Sequence, residues 1–556
     1  MDQVDSIYKE VLSSESTSLN SSESATDDQE DKNLTNSKES NFEDVFDKIG
    51  HFKVYQKFVA VAVLIMAWPA GFSTLLPVFI HSKSEYSCVE FSDSSPFNST
   101  QNKSFFYKTI DSCGISKTTS CQPSCANYDF KDQMFDSTVI SDFQLVCQDW
   151  PLLPDGAVTL VTMGFFVGMA AGVLINGYIA DSYGRKTSAI SGCLVGIVSE
   201  ISTSYSTNWK AYAFFRITSA LGAFMVYSAA FIIGQELLGS RQRMNLGICM
   251  SASFTAAWIM LVGIAYVLQE IGSNWRVLVR ITTFGYVLCL ICLTYLCESP
   301  RWLLTQGKMK EATQALHNIA DKNGVKTTVV CPRLTENTSR KYGFLKTVKL
   351  DRRITKGLIF NVYLWSANAL VYYGLSMNSA SLPGSLFFNN LMAAGSEYPM
   401  YIIMPYLMKR LGRRRWTSYC FFLAGFSCLI ATVTFEIAKK RCESTNLKHP
   451  LVVLNLVFSF FGKTCITGSF ASVWIWSCEL FPTEIRGSAF GLSSTGARFA
   501  SALTPFLIGL QNLVSWLPGT VFGLVSISAG VVSLLLPETL GKALPMGIED
   551  GIRMFS

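Results

Sequence analysis

The apolar residues of this chain are gathered into twelve blocks, and that grouping constrains the fold more than anything else in the sequence. A helix needs about 20 apolar residues to cross roughly 30 Å of hydrocarbon. Inside hydrocarbon every backbone polar group must bond within the segment, which forces helix. Residues 58–80 form the first block. The others are 156–180, 187–205, 211–234, 246–268, 278–296, 358–377, 386–408, 417–438, 451–469, 489–510 and 517–536. Composition agrees: 49% of residues are hydrophobic and 15% are charged, against roughly 25% charged in soluble domains. So few charges cannot cover a water-exposed surface. The pattern predicts an all-α membrane protein with twelve transmembrane helices.

Lys and Arg mark the cytosolic ends of membrane helices. Here they cluster in Gly184-Arg185-Lys186, in Arg241-Gln242-Arg243, across 297–357 and in Lys409-Arg410-Leu411-Gly412-Arg413-Arg414-Arg415. These clusters follow blocks 2, 4, 6 and 8, so both termini are expected inside. Lys439-Lys440-Arg441, after block 9, goes against the pattern. The basic clusters are accounted for by topology and give no support to nucleic-acid binding. Residues 1–57 comprise an acidic, Ser-rich stretch, read as a disordered cytosolic tail, and the lead-in to the first helix; they are too polar for a secretory signal. Residues 537–556 form the other cytosolic tail.

Two connections are long. The first, 81–155, is expected outside the cell. It carries Cys88, Cys113, Cys121, Cys125 and Cys147 and the glycosylation sequons at Asn98 and Asn102. Extracellular cysteines in one loop read as disulfides; zinc is the rival, but no His accompanies them in the loop interior, and no metal is expected. Five is an odd number, so one thiol is unpaired or pairs elsewhere. The second connection, 297–357, is basic, holds an expected amphipathic helix near 310–320, and links a half at 58–296 to a half at 358–536.

Those halves echo each other. Gly177-Tyr178-Ile179-Ala180-Asp181-Ser182-Tyr183-Gly184-Arg185-Lys186 follows block 2, and Lys409-Arg410-Leu411-Gly412-Arg413-Arg414 follows block 8. Glu236 precedes Arg243 by seven residues after block 4, and Glu479 precedes Arg486 by seven after block 10. Glu298 follows block 6 and Glu538 follows block 12. Repeats at matching offsets indicate duplication. The first element resembles the major facilitator signature, Gly-x-x-x-Asp-x-x-Gly-Arg-Lys. The resemblance implies two six-helix halves related by a pseudo-two-fold along the membrane normal, with substrate bound between them near the midplane. It also implies a latch in which Asp181 pairs with neighbouring cations when the cytosolic gate is shut. The second copy has Lys409 in place of Asp181, so its latch needs another carboxylate, Glu479 or Glu484. Asp181, Gly184, Arg185, Glu236, Arg243, Glu479 and Arg486 are the gating candidates.

Four further runs narrow the family: Asp142-Phe143-Gln144-Leu145-Val146-Cys147, Cys297-Glu298-Ser299-Pro300-Arg301-Trp302-Leu303-Leu304, Glu479-Leu480-Phe481-Pro482-Thr483-Glu484-Ile485-Arg486 and Leu536-Pro537-Glu538-Thr539. Together they resemble the organic cation/anion/carnitine transporter family, from about residue 42 to 545. Cation-selective members of that family carry Asp at the position of Arg498, whereas anion and carnitine members carry Arg. Phe387-Phe388-Asn389-Asn390-Leu391, Glu397-Tyr398-Pro399-Met400-Tyr401 and Tyr372-Tyr373-Gly374-Leu375-Ser376 resemble the carnitine branch. Two departures matter. Pro69-Ala70-Gly71-Phe72 lacks the Asn associated with sodium coupling. The stretch Gly234-Gln235-Glu236-Leu237-Leu238-Gly239-Ser240-Arg241 lacks the Lys of a P-loop-like motif, so no nucleotide site and no cofactor is expected.

A charge in hydrocarbon costs about 2.5–3.5 kcal/mol or more, and usually faces the bundle interior with a partner. Arg216, Glu397, Lys463 and Arg498 are such residues. Arg498 is the expected substrate residue, because its guanidinium takes a carboxylate at two points; the alternative is a structural ion pair, for example with Glu397. Glu397 is the ion-coupling candidate. Aromatic faces attract a quaternary ammonium within about 6 Å of the ring. Trp365, Tyr372, Phe470, Trp474, Tyr227 and Tyr401 are the candidates for such a wall. The expected function is alternating-access transport of small zwitterionic or charged organic solutes across the plasma membrane, with the bilayer and the solute as partners. An organic anion transporter, a polyspecific cation transporter and a non-transporting sensor are the alternatives. His51, His81, His317 and His449 are isolated, and no nucleophile–base pair marks an enzyme.

Overall fold

Proline sets where the longest apolar segments break. The first block folds as α1 (Val54–Ile65) and α2 (Trp68–Ile80), because Pro69 has no N–H to give to the Ile65 carbonyl. The structure, a computed structural model, describes residues 49–50, 52–82, 85–91, 108–110, 116–118, 125–131, 134–146, 156–325, 351–441, 447, 449–542, 545 and 548–555. The first half continues through α3 (Val139–Asp142), α4 (Gly156–Tyr183), α5 (Arg185–Ser204), α6 (Trp209–Leu237), α7 (Ser240–Glu270) and α8 (Trp275–Tyr295). The linker contributes α9 (Pro300–Thr305) and α10 (Met309–Lys322), the latter covering the expected amphipathic helix. The second half holds α11 (Arg352–Asn378), α12 (Leu386–Gly395), α13 (Tyr398–Leu411), α14 (Arg413–Lys440), α15 (Pro450–Leu480), α16 (Thr483–Ala502), α17 (Thr504–Gly509) and α18 (Leu517–Leu534). A short α19 (Ile548–Phe555) closes the chain. Pro399 splits the eighth block into α12 and α13, and Pro505 separates α16 from α17, by the same loss of a donor.

Each of the twelve blocks falls on helix. Among the described residues, eight segments are long and apolar enough to cross a membrane. The remaining four blocks are α5, α11, α16 and the split pair α12–α13. α5, α11 and α16 are long enough but too polar, and the reason lies in what they bury. α5 buries Ser199, Glu200 and Thr203, α11 buries Asn361, Asn368 and Ser376, and α16 buries Ser493, Ser494 and Arg498. These polar faces turn into the bundle, leaving little apolar surplus.

Within each half, helices pack tightly: α5 and α4 on α6 in the first, and α14 on α15 and α18 in the second, with α5 on α6 and α14 on α15 as equivalent pairs. Between halves, α4 meets α16 and α17, while α7 meets α12 and α13. At the end of the bundle bearing the 81–155 connection, Phe387 stacks on Phe79 at 6.1 Å and meets Tyr266 edge-on at 5.4 Å, joining the halves. At the other end they part around a cavity of about 500 Å³.

The 81–155 connection contains strands that the sequence reading did not anticipate. β1 (Glu85–Phe91) pairs antiparallel with β4 (Cys125–Lys131), and β2 (Lys108–Ile110) with β3 (Ser116–Thr118). Asp142 pins this connection to α8: its carboxylate accepts from Trp275 Nε1 at 2.8 Å and pairs with Arg276 at 3.2 Å. Cys88 and Cys125 lie on the paired strands β1 and β4, with side chains outside the described residues. Cys113, Cys121, Cys147, Asn98 and Asn102 also lie outside the described residues, as do residues 1–48 and 326–350.

Candidate functional site

The two Gly-Arg turns build the same charged joint twice. Gly184 and Gly412 have φ of +109° and +84°, a conformation that only glycine adopts readily. A Cβ at either one would strike a glutamate carboxylate, Glu298 at Gly184 and Glu538 at Gly412. Glu298 accepts from the backbone N–H groups of Arg185 (3.0 Å) and Lys186 (3.1 Å). Glu538 accepts from those of Arg413 (2.8 Å) and Arg414 (3.1 Å). Each carboxylate thus fills the anion-attracting N-terminus of a helix. The Arg185 side chain pairs with Glu236 at 3.1 Å, and Arg413 with Glu479 at 2.9 Å.

The carboxylate that the second turn needs is Glu479, one of the two the sequence offered. Glu236 takes the same place beside the first turn. Arg486 Nε donates to the Phe481 carbonyl at 3.1 Å, and the Arg243 side chain is outside the described residues. Asp181 does pair with Arg185, at 3.3 Å, but its side chain is 79% exposed. The out-of-pattern Lys439 donates to Ser515 Oγ at 3.2 Å.

Above the joints, between the halves, lies a chamber of about 60 Å³. Arg498, Tyr227, Tyr372, Phe470, Trp474 and Tyr401 line it, together with Tyr373, Phe254 and Thr467, which the sequence reading missed. Trp365 does not reach this wall. It stands behind it, fully buried, 5.0 Å from the Trp474 ring and 6.3 Å from Phe470, with Nε1 donating to Ser477 Oγ at 2.7 Å. Helical spacing puts Trp365 on the face of Tyr372, but the bulk of Phe470 and Trp474 fills the space in front of it.

Arg498 has no carboxylate partner among the described residues. Nη1 donates to its own helix, to the Ser494 carbonyl at 2.7 Å and the Ser494 hydroxyl, and Nε is buried without an acceptor. The ion pair with Glu397 that the sequence left open does not form, because Lys463 takes Glu397 instead, at 3.0 Å. Glu397 sits in the break between α12 and α13, where the missing Pro399 donor frees the chain to turn. Its second oxygen accepts from Thr255 Oγ1 (2.7 Å), Tyr401 OH (2.9 Å) and Tyr372 OH (3.3 Å). Thr255 comes from α7, so this carboxylate bridges the two halves. The Lys463 ammonium also lies 3.2 Å from the centre of the Tyr372 ring.

The first half holds its own buried pair. Arg216 meets Glu200 at 3.4 Å, with Ser73 Oγ 2.9 Å away and the Phe165 ring 4.8 Å away. Glu200 escaped the sequence reading, although an acidic residue inside an apolar block sixteen positions before Arg216 was its signal. The charges around the chamber therefore add to one: Lys463 and Glu397 cancel, and Arg498 remains.

Known proteins match this architecture. The model for the sugar (and other) transporter family matches residues 99–546. The human organic cation/carnitine transporter 2 is 30% identical over 78% of this chain and 75% of its own length. The Caenorhabditis elegans organic cation transporter 1 is 27% identical over 93% and 89%, and the mouse solute carrier family 22 member 2 is 32% identical over 75% and 72%. Among solved structures, the inward open conformation of the E. coli xylose transporter XylE superposes with a TM-score of 0.60 at 13% identity, covering 90% of this chain and 100% of that one. The XylE proton:xylose symporter bound to 6-bromo-6-deoxy-D-glucose gives the same TM-score at 14% identity, covering 90% and 99%. At such identities the likeness speaks for fold alone. The chain therefore belongs to the sugar (and other) transporter family of major facilitator proteins, among relatives that are organic cation/carnitine transporters.

Proposed function

We propose that this transporter carries small organic solutes bearing a carboxylate, above all carnitine-like zwitterions, across the plasma membrane. The observation that carries the reading is Arg498, buried in the interhelical chamber with no carboxylate of its own. A lone guanidinium in a low-dielectric site attracts an anion and repels a bare cation strongly. The rings of Phe470 and Trp474, which line the same chamber, supply faces for a trialkylammonium group. Relatives named for organic cations and carnitine support the substrate class. An aromatic carboxylate is the second reading, favoured by the net single positive charge of the chamber.

In this reading the 81–155 connection is extracellular and glycosylated, the Gly184 and Gly412 turns and both termini are cytosolic, and the two halves rock about the chamber. At about 60 Å³ the chamber is far below the 300–1,000 Å³ of ordinary ligand pockets, so substrate entry requires that rocking. The paired joints at Arg185 and Arg413 act as the gating elements. Glu397, hydrogen-bonded by Thr255 across the halves, is the proposed ion-coupling residue.

Uptake of labelled carnitine, an aromatic carboxylate and a tetraalkylammonium, with and without sodium, tests this in cells expressing the protein. Carnitine and the carboxylate should enter, and Arg498→Ala should stop them. Uptake of the tetraalkylammonium alone, intact in Arg498→Ala, would sink the assignment.

A further inference from the structure

The larger cavity, below the chamber, has a polarity of its own. Its inner end is apolar, walled by Phe231, Ile248, Met250, Trp474 and Ile475, and its outer end carries Arg413, Arg486, Lys542 and Glu479. Arg413 is neutralised by Glu479 at 2.9 Å. Arg486 meets no carboxylate among the described residues and donates to the carbonyls of Phe481 (3.1 Å) and Pro545 (3.4 Å). Lys542 is exposed and has no ionic partner among the described residues. Among the described side chains lining that end, three cations stand against one carboxylate.

The dimensions suit one kind of occupant. Ala471 and Glu479 both line the cavity, eight residues apart on α15, so it runs about 12 Å along the helix at 1.5 Å per residue. Its volume of about 500 Å³ lies within the range of ligand pockets. Met554 of α19 closes one side, held there by Phe555 packing 6.1 Å from Phe481. A cationic rim above an apolar sleeve matches an anionic head on an apolar tail.

We propose that this vestibule, which adjoins the Arg498 chamber through the shared walls of Tyr227, Ser251, Ala471 and Trp474, binds a free medium-chain monocarboxylate with its head at Arg486 and Lys542, away from Arg498, and its tail against Trp474 and Phe231. The proposal does not depend on what Arg498 carries, and its test reads binding rather than transport.

The full chain in phosphatidylcholine nanodiscs is titrated with octanoate, octylammonium and octanol. Octanoate should bind at least about tenfold more tightly than the other two, the margin of a charge-assisted contact. Arg486→Gln with Lys542→Gln should remove about tenfold of its affinity, and Arg498→Ala should change it by less than about twofold. Because Arg486 holds backbone carbonyls, Lys542→Glu serves as a second variant at an exposed position and should by itself weaken octanoate binding. Octanoate affinity unmoved by both changes overturns the site. So does affinity lost only in Arg498→Ala, which places the ligand in the central chamber. Adding phosphatidylserine to the nanodiscs tests the free solute against a bilayer anion, and loss of octanoate binding there overturns the free-solute assignment.

Discussion

The two halves of this transporter agree at one end and part company in the middle. At the Gly-Arg turns, Arg185, Glu236 and Glu298 find their counterparts in Arg413, Glu479 and Glu538, with ion-pair distances of 3.1 and 2.9 Å. In the interior the match fails. The first half closes its buried charge internally, Arg216 on Glu200 with serine hydroxyls around them. Among the described residues the second half buries two cations, Lys463 and Arg498, and one carboxylate, Glu397. Repetition is kept at the turns and lost in the interior, where the proposed function puts the solute. A site between two identical halves would be symmetric in charge. In the proposed function, the surplus guanidinium of one half is what tells a carboxylate from an ammonium.

The largest expected effect breaks that asymmetry directly. Arg498→Ala should lower kcat/KM for a carboxylate substrate by about 10- to 100-fold, the worth of hydrogen bonds to a charged group. Arg498→Lys should recover only part of it, because an ammonium lacks the planar fork. Initial-rate uptake measures both.

Next come the buried pairs. Lys463→Met strands Glu397 in the bundle and should destabilise the protein by about 3–5 kcal/mol, whereas Lys463→Met with Glu397→Gln should restore most of that loss. Glu200→Ala, stranding Arg216, should cost about as much. Thermal unfolding in detergent compares them. If the Glu200 and Lys463 changes differ widely, the two interiors are less alike in energetics than in geometry.

The turns should respond as twins. Gly184→Ala and Gly412→Ala each force a side chain into positive φ and toward a glutamate, at about 1–3 kcal/mol apiece. Matching losses of stability would uphold the equivalence, and a large difference would break it. The smallest effect belongs to Asp181. Its side chain is 79% exposed, so Asp181→Asn should cost less than about 1 kcal/mol, while Glu236→Gln, with a half-buried pair, should cost more. An Asp181→Asn protein that unfolds as easily as Glu236→Gln would restore the acidic residue of the signature to the centre of the joint.

The sequence by itself determined the helices, the duplication and four of the five buried charges among the described residues, all but Glu200. Runs of about twenty apolar residues have one stable state in hydrocarbon, and glycine before arginine at matching offsets marks two equal turns. Arg498, Glu397 and Lys463 stood out because charge inside apolar sequence is expensive. Pairing was decided only by tertiary structure. Periodicity put Trp365 on the same face as Tyr372, yet the rings of Phe470 and Trp474, from another helix, shut it out of the chamber. Spacing marked Glu236 and Glu479 as equivalent and offered Glu479 or Glu484 for the second turn, but only the packing brings Glu236 to Arg185 and Glu479 to Arg413, which arrive from other helices. Two cations competed for Glu397, and the break before Pro399 gave it to Lys463. Local sequence sets which face a side chain occupies and whether its charge needs a partner. Which partner it finds depends on how separate helices cross, and that crossing is fixed by the packing of the whole bundle.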